Sequence, residues 1–183
     1  MLRPRTLLAT VALLTVVALV LVAVLVQRAG TPAPNPDLPD EAEPAAVVRH
    51  VDGDTLHLRS VGGGDLLDRA GESVRLLLID TPETVKPDSP VECYGPEASA
   101  ELAELAPVGA EVWVLPDEEL RDRYDRALLY VWNEDGELVN AELARAGAGR
   151  AVLYEPNDRF IDLVRAAEAE AREAGRGLWG ACE

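Results

Sequence analysis

Lysine is nearly missing from this chain of 183 residues, since Lys86 is the only lysine among 17 basic residues, against 33 acidic ones and a net charge of -16. A diffuse basic surface that holds nucleic acid non-specifically is therefore excluded, because such binding rests on neutralisation of phosphates by Lys and Arg. The length excludes a large multi-domain machine, and the mixed composition excludes a collagen-like or wholly disordered polymer. We expect one folded domain with additional segments.

Charged side chains are absent from residues 6–26. A helix of about 20 apolar residues spans the roughly 30 Å of a bilayer core, so this run predicts a transmembrane helix. Arg3 and Arg5 precede the run and only Arg28 follows it, which places the amino end in the cytoplasm by the positive-inside rule. Residues 1–28 are thus predicted to be a cytoplasmic tip and a membrane anchor. The alternative is a cleaved signal sequence, which would leave a secreted protein.

Prolines and acidic residues dominate residues 29–45, which hold almost nothing able to form a core. This composition predicts an extended, disordered linker. The folded domain is predicted to occupy residues 46–183, and most of the acidic residues belong to it.

Short runs of β-forming residues predict five strands in this domain, at residues 47–51, 55–58, 74–79, 111–115 and 127–132. Three helices are predicted: one opened by Gly95, one capped by Asn140, and one that starts near Asn157 or Asp158. A parallel α/β sheet would need a crossover helix after each strand, which this order does not provide. The pattern favours a β-rich α+β fold, a five-stranded barrel of the OB type with about three helices.

Three short clusters hold residues that are typical of catalytic sites: VDGDT at 51–55, RLLLIDTPE at 75–83 and DRYDRALLY at 122–130. Singly, each has a structural explanation, since Asp54 suits a turn, Asp80 can end a strand and Glu83 can be a surface acid. Arg75 is less ordinary, because a guanidinium in an apolar strand must find partners or point into a site.

Taken together, the clusters resemble the staphylococcal nuclease family, also called the thermonucleases. The resemblance runs from residue 47 to residue 179, keeps the order and near-spacing of the clusters, and extends to TPET at 81–84 and YGPEAS at 94–99. It implies an OB-type barrel with added helices and calcium-dependent hydrolysis of phosphodiester bonds in DNA and RNA.

The resemblance also implies a metal site. Asp54 and Asp80 correspond to the calcium-binding carboxylates, and the backbone carbonyl of Thr81 corresponds to a further ligand. These groups, with waters and a phosphate oxygen, suit Ca2+, which takes about six to eight oxygen ligands. So few protein ligands predict a weak site that fills where calcium is plentiful, in agreement with a location outside the membrane.

In the same resemblance, Arg75 and Arg126 correspond to phosphate-binding arginines and Glu83 to the carboxylate that activates water. A phosphodiester under attack gathers negative charge, which planar guanidinium groups can grip bidentately. Tyr124 and Tyr154 stand where the family often has aromatic residues near the nucleotide, so they are candidate substrate-binding residues. The alternative for both tyrosines is packing at the barrel edge.

Asp125 departs from the family, which usually has Gly before the second arginine. Its carboxylate is predicted to pair with Arg126 and to compete with phosphate there. The acidic balance of the chain also predicts poor long-range steering of nucleic acid, and hence a preference for single-stranded substrates.

Cys93 and Cys182 are the only cysteines. In a cytosolic protein they would be two unrelated thiols. Outside the membrane an even count favours a disulfide, which is the pairing we predict.

The leading hypothesis is a monomeric, membrane-anchored, calcium-dependent nuclease whose catalytic domain is extracytoplasmic. Two alternatives belong to other classes: a non-catalytic OB-fold module that tethers nucleic acid or a protein partner to the membrane, and a calcium-dependent adhesion or assembly protein. Cleavage of single-stranded DNA with calcium, and its loss with a chelator, distinguishes the first hypothesis from the other two.

Overall fold

A closed barrel of five strands forms the centre of the computed structural model, which describes residues 34–84 and 90–182. The strands of this part of the chain are β1 (Glu43–His50), β2 (Thr55–Ser60), β3 (Glu72–Leu76), β4 (Ile79–Asp80), β5 (Glu111–Arg121), β6 (Ala127–Trp132) and β7 (Arg150–Ala151). Around the barrel they follow the order β1-β2-β3-β6-β5, with β3 and β6 parallel, while β4 and β7 form a separate two-stranded sheet. The predicted five-stranded OB-type barrel is confirmed.

Four helices complete the described part of the chain: α1 (Gly95–Leu105), α2 (Val139–Ala146), α3 (Ile161–Glu173) and α4 (Leu178–Ala181). The first three correspond to predicted helices, and α4 is a short additional one. The longest of these four helices, α3, has 13 residues, so none of the helices in the described residues is a candidate for spanning a bilayer.

The core consists of aliphatic strand residues, such as Leu56 and Leu129, which are fully buried. Phe160, directly before α3, packs edge-on against Tyr130 and Trp132 of β6, with ring centroids 4.7 Å and 5.7 Å away. Such aromatic pairs contribute about 0.5–1.5 kcal/mol beyond their buried area. They fix the start of α3 against the barrel.

The predicted strand at residues 74–79 is not continuous, and this prediction is wrong. β3 ends at Leu76, and Leu78 has a φ of 64°, a left-handed conformation that interrupts a strand. After this bend β4 pairs with β7, where Asp80 lies opposite Arg150. An apolar run indicates burial, but it does not reveal a bend within the buried segment.

The predicted cap at Asn140 is wrong, and the helix predicted to start near Asn157 or Asp158 starts later, at Ile161. Asn140 lies inside α2, fully buried, where its amide accepts the N–H of Val131 (2.9 Å) and donates to the carbonyl of Leu77 (2.8 Å). Asn157 lies ahead of α3, and its amide pairs with both backbone groups of Glu119 on β5 (2.8 and 3.2 Å). Both side chains satisfy backbone groups of other segments, a non-local use that the local preference of asparagine for helix caps does not indicate.

The strand β1 begins at Glu43, inside the segment at residues 29–45 that is predicted to be a linker. Ahead of it, the carbonyl of Pro36 accepts a hydrogen bond from the indole N–H of Trp132 (3.4 Å), so part of this segment contacts the barrel. The predicted anchor at residues 1–28 lies outside the described residues, and the domain boundaries stay predictions.

Candidate active site

A cavity of about 460 Å³ opens beside the bend between β3 and β4. All eight residues that the sequence predicts for metal binding, catalysis and substrate binding line it: Asp54, Arg75, Asp80, Thr81, Glu83, Tyr124, Arg126 and Tyr154. They come from the β1–β2 turn, the β3–β4 bend, the β5–β6 loop and the segment after β7. The fold therefore brings the three sequence clusters together on one cavity.

Arg75 fills the inside of the bend. Its Nη1 donates to the carbonyls of Leu76 (2.7 Å) and Ile79 (2.6 Å), while its Nη2 contacts Asp80 (2.8 Å) and Asp54 (3.1 Å). The side chain is only 11% exposed, and these partners offset the cost of burying its charge. The arginine in the apolar strand thus closes the bend and joins two carboxylates.

Asp54 is buried, and both of its oxygens accept hydrogen bonds. Thr81 donates to Oδ2 through its backbone N–H (2.9 Å) and its hydroxyl (3.2 Å), while the Thr55 hydroxyl donates to Oδ1 (3.1 Å). Gly53 permits this approach, since a Cβ there would lie 2.6 Å from Thr81 Oγ1. One carboxylate therefore joins the β1–β2 turn to the β3–β4 bend.

The oxygen donors of the cavity suit a hard cation. Over residues 34–84 and 90–182, no group of three or more His, Cys, Asp or Glu side chains is placed to hold a metal ion. However, the carboxylates of Asp54 and Asp80 contact the same nitrogen of Arg75, so their oxygens face a common point. Thr81, whose carbonyl is the third proposed donor, lines the same cavity. Carboxylate and carbonyl oxygens of this kind are the ligands that a hard divalent cation takes, with water or substrate completing its coordination.

Asp52 also lines the cavity, although nothing in the sequence distinguishes it from an ordinary turn residue. Its Oδ1 accepts the backbone N–H of Asp54 (3.2 Å). Burial, followed by the charge of Asp54, raises the pKa of Asp52 to about 6. Asp52 is therefore a carboxyl group of the site in addition to Asp54, Asp80 and Glu83, the three acids that the resemblance assigns to it.

Arg126 is held by Asp122. Oδ2 of Asp122 accepts hydrogen bonds from Nε and Nη2 of Arg126, both at 2.7 Å. Oδ1 accepts hydrogen bonds from the backbone N–H groups of Tyr124 (2.9 Å) and Arg126 (3.0 Å). Burial by itself would raise the pKa of Asp122, but these hydrogen bonds outweigh burial and the pKa lies below its usual value. Nη1 of Arg126 lies 3.5 Å from the Thr55 hydroxyl. Asp122 thus orients the arginine, a role that its place in the DRYDR motif could have indicated.

Asp125 does not pair with Arg126, and that prediction is wrong. Its carboxylate is 90% exposed and lies 3.8 Å from Arg121, whose Nη1 also donates to the Asp125 carbonyl (2.9 Å). The φ of Asp125 is 65°, in the left-handed region that favours glycine. The aspartate therefore strains the loop backbone, while Arg126 is occupied by Asp122.

Glu83 follows the bend and is fixed through its backbone. Its N–H donates to Glu92 Oε2 (3.1 Å), and its carbonyl accepts the N–H of Glu92 (3.0 Å). The Glu83 carboxylate accepts the N–H of Thr84 (2.9 Å). Residues 85–89, which follow Thr84, lie outside the part of the chain that the structure describes.

Tyr124 and Tyr154 expose 65% and 62% of their surface at the cavity. The hydroxyl of Tyr124 accepts a hydrogen bond from Arg123 (2.7 Å), whose guanidinium lies 4.7 Å from the ring centroid. Neither ring is buried in the barrel, so both are accessible to a nucleotide.

Cys93 and Cys182 form a disulfide, as predicted, with their Cα atoms 5.9 Å apart. Cys93 directly follows Glu92, which holds Glu83, and Cys182 directly follows α4. The bond therefore connects the end of the chain to the segment that positions Glu83.

Two arginines beside a group of carboxylates, with accessible aromatic rings, form a site that suits an enzyme acting on phosphate esters. OB-type barrels commonly bind oligonucleotides. Fold and site together define the class of the protein as an OB-fold phosphodiesterase.

Comparison with known proteins gives the family within that class. Residues 73–181 match the family model described as Staphylococcal nuclease homologue. The chain is 38% identical to the thermonuclease of Staphylococcus intermedius over 135 residues, which cover 73% of this chain and 74% of that protein. It is 37% identical to endonuclease YncB of Bacillus subtilis (strain 168) over 154 residues, 84% of this chain and 68% of the relative. The chain therefore belongs to the staphylococcal nuclease family, and it is a nuclease, a hydrolase of phosphodiester bonds.

Proposed function

We propose that this chain is a calcium-dependent nuclease that hydrolyses DNA and RNA outside the membrane. The observation that carries the proposal is that Arg75 joins Asp54 and Asp80 in the larger cavity, which Arg126 also lines. Negative charge develops on the phosphate oxygens during hydrolysis, so positive groups at one point stabilise the transition state selectively.

Asp54, Asp80 and the carbonyl of Thr81 would hold the calcium ion, which when bound supplies positive charge against the phosphate oxygens. The hydrogen bonds from Thr55 and Thr81 keep the Asp54 carboxylate in a fixed orientation toward the cavity. Asp80 is held from the other side by Arg75.

The two arginines bind the phosphate in different ways. Arg75 keeps Nη1 on the backbone carbonyls of the bend, which leaves Nη2 as the nitrogen that can turn to phosphate. Arg126 donates from Nε to the Asp122 carboxylate, while its Nη1 points toward the Thr55 hydroxyl and can contact phosphate. A single donor of this kind is worth about 10²–10³ in turnover.

Glu83 is the group that would take a proton from the attacking water, at its carboxylate. The paired hydrogen bonds with Glu92 fix the backbone of Glu83, so only its side chain needs to move during this step. General bases of this kind contribute about 10²–10⁴ in rate.

Single-stranded DNA and RNA are the substrates that the cavity favours. The net charge of -16 opposes long-range attraction of a duplex, so binding depends on the few local cations. The exposed rings of Tyr124 and Tyr154 offer stacking surfaces, and unpaired bases can reach them.

The membrane anchor at residues 6–26 is part of the proposal, with the catalytic domain on the extracytoplasmic side as a monomer. The Cys93–Cys182 disulfide supports this location, because disulfides persist mainly outside the cytosol. If the segment is cleaved, the protein is secreted. Membrane fractionation with amino-terminal sequencing distinguishes the two forms, and a soluble protein that retains residues 1–28 would contradict both.

The test uses the full-length chain in detergent, a single-stranded DNA oligonucleotide, and calcium at about 0.1–10 mM or excess chelator. Cleavage should require calcium, and Glu83→Gln should lose at least about 100-fold in turnover while binding calcium nearly as well as the parent. Full cleavage in chelator would contradict the metal assignment. Binding of the oligonucleotide without cleavage in calcium would favour the tethering module instead.

A further inference from the structure

A second, smaller cavity of about 220 Å³ adjoins the active site. The two cavities share the wall formed by Asp80, Thr81 and Pro82. The remaining wall of the smaller cavity includes Arg150 on β7 and the Cys93–Cys182 disulfide. A strand that places one phosphate at the active site can therefore extend directly into the second cavity.

Arg150 is the one basic side chain among the described residues of this wall. Because β7 pairs with β4, Arg150 lies directly opposite Asp80, and opposite residues of an antiparallel pair project to the same face. The guanidinium thus belongs to the side of the sheet that carries a proposed calcium ligand.

The acidic residues of the second cavity already have partners. Asp80 is paired with Arg75 at 2.8 Å, and Glu92 accepts the N–H of Glu83 at 3.1 Å. Arg150 contacts no carboxylate anywhere in residues 34–84 and 90–182. In a chain with 33 acidic and 17 basic residues, an arginine that lies beside the active site and has no acidic partner among the described residues is available to an anion.

Trp179 holds Arg150 in place without using its hydrogen-bond donors. The guanidinium carbon of Arg150 lies 4.4 Å from the centroid of the indole ring, and that of Arg172 lies 4.2 Å from the same centroid. A cation–π contact restrains a guanidinium while its N–H groups stay available. Since two cations already contact this ring, recognition at this point rests on the charge of Arg150 and not on stacking of a base.

We propose that Arg150 forms a second phosphate subsite, which binds the phosphodiester adjoining the scissile one on the same strand. This inference rests on the proposed nuclease function. Arginine suits the role because its planar fork grips two phosphate oxygens at once. The subsite gives a strongly acidic enzyme a preference for strands with several phosphates over a single isolated phosphodiester.

The kinetic test compares Arg150→Gln with the parent on a dinucleoside monophosphate, which has one phosphodiester, and on single-stranded tetranucleotides. We expect KM for the tetranucleotides to rise about 5- to 20-fold, with no change on the dinucleoside monophosphate. A second comparison replaces one phosphate that neighbours the cleaved bond by an uncharged methylphosphonate, first on the 5′ side and then on the 3′ side. One of these two replacements should raise KM of the parent by a similar factor. The same replacement should leave KM of Arg150→Gln unchanged.

The matched control is Arg172→Gln, which removes the other cation from Trp179 but does not line the cavity. It should leave KM for the tetranucleotides unchanged. An equal increase in KM with Arg172→Gln would overturn the proposal, because the effect would then come from packing of Trp179. An equal effect of Arg150→Gln on both substrates, or no effect on either, would overturn it as well.

A binding measurement tests the phosphate subsite independently of the proposed nuclease activity. Fluorescence anisotropy with a labelled tetranucleotide in chelator measures affinity without cleavage. Arg150→Gln should weaken binding and reduce the slope of log affinity against log salt by about 0.7, the value for one phosphate contact to a single strand. If the parent does not cleave but this change in slope is found, the nuclease proposal fails and the subsite stands. An unchanged slope overturns the subsite.

Discussion

Removing the Cys93–Cys182 disulfide should destabilise the domain by several kcal/mol. The bond closes a loop with a sequence separation of 89, which reduces the entropy of the unfolded chain. In the chain-entropy account this amounts to about 4.6 kcal/mol at 25 °C, as an upper value for replacing both cysteines by serine. For a domain of about 140 residues the corresponding fall in Tm is about 15 °C.

The catalytic rate should respond differently from the stability. Glu92, next to Cys93, holds Glu83 through two hydrogen bonds of 3.1 and 3.0 Å that do not involve sulfur. We therefore expect the variant with Cys93→Ser and Cys182→Ser to keep turnover within about threefold of the parent at temperatures well below its Tm. The disulfide then acts mainly on the unfolded state and not on the geometry of the site.

Circular dichroism melts with and without reductant check this reasoning. The reduced parent should melt at the temperature of the double serine variant, and reductant should not affect that variant. A Tm difference below about 3 °C would refute the entropy argument. Loss of turnover in the fully folded variant would instead show that the bond shapes the site.

Three further predictions concern single side chains. Arg75→Lys and Arg126→Lys keep the charge but remove the planar fork, so each should lose about 10²-fold in turnover, measured with single-stranded DNA at a temperature where both variants are folded. Arg75→Lys should also lower Tm, because Arg75 closes the β3–β4 bend, whereas Arg126→Lys should leave Tm nearly unchanged. Asp125→Gly should relieve the φ of 65° and raise the unfolding free energy by about 0.5–1 kcal/mol, with unchanged salt dependence of cleavage because Asp125 does not contact Arg126. Burial, and then the hydrogen bond to Asp117, raises the pKa of Tyr130 above its usual value. Its stabilising contribution is therefore complete below about pH 10, where the unfolded tyrosine is neutral, and is lost as the pH rises further. Tyr130→Phe should be less stable than the parent by about 1 kcal/mol at pH 7, and urea titrations should show this gap narrowing above pH 10.

Local sequence patterns were sufficient to predict most of the barrel. The segments that form β2 and β6 are rich in β-forming residues and are flanked by turn-forming residues. Both strands lie close to their predicted bounds. The bend at Leu78 could not be predicted in the same way. It depends on Arg75 reaching the carbonyls of Leu76 and Ile79, a contact that exists only after the chain has folded back on itself.

In the candidate site, too, the motifs predicted which residues take part but not which of them contact each other. The motifs identified residues that share one cavity, because each cluster supplies its members at fixed spacing to one turn or bend. Proximity in sequence misled for Asp125, which is adjacent to Arg126 in the chain yet points to Arg121 because its backbone is left-handed. Asp122 meets Arg126 instead, since the loop returns on itself between them.

The bond between Cys93 and Cys182 closes the part of the chain from α1 to α4 into a covalent ring, and β1–β4 lie outside that ring. The β5–β6 loop lies within that ring and is accessible, as the 65% exposure of Tyr124 shows. One protease cut there opens the ring but does not divide the molecule, so both pieces stay joined until the sulfur bridge is reduced. On a gel, a nicked protein would therefore run as one band without reductant and as two with it. A single nick also leaves the barrel strands on the two pieces at high effective concentration toward each other.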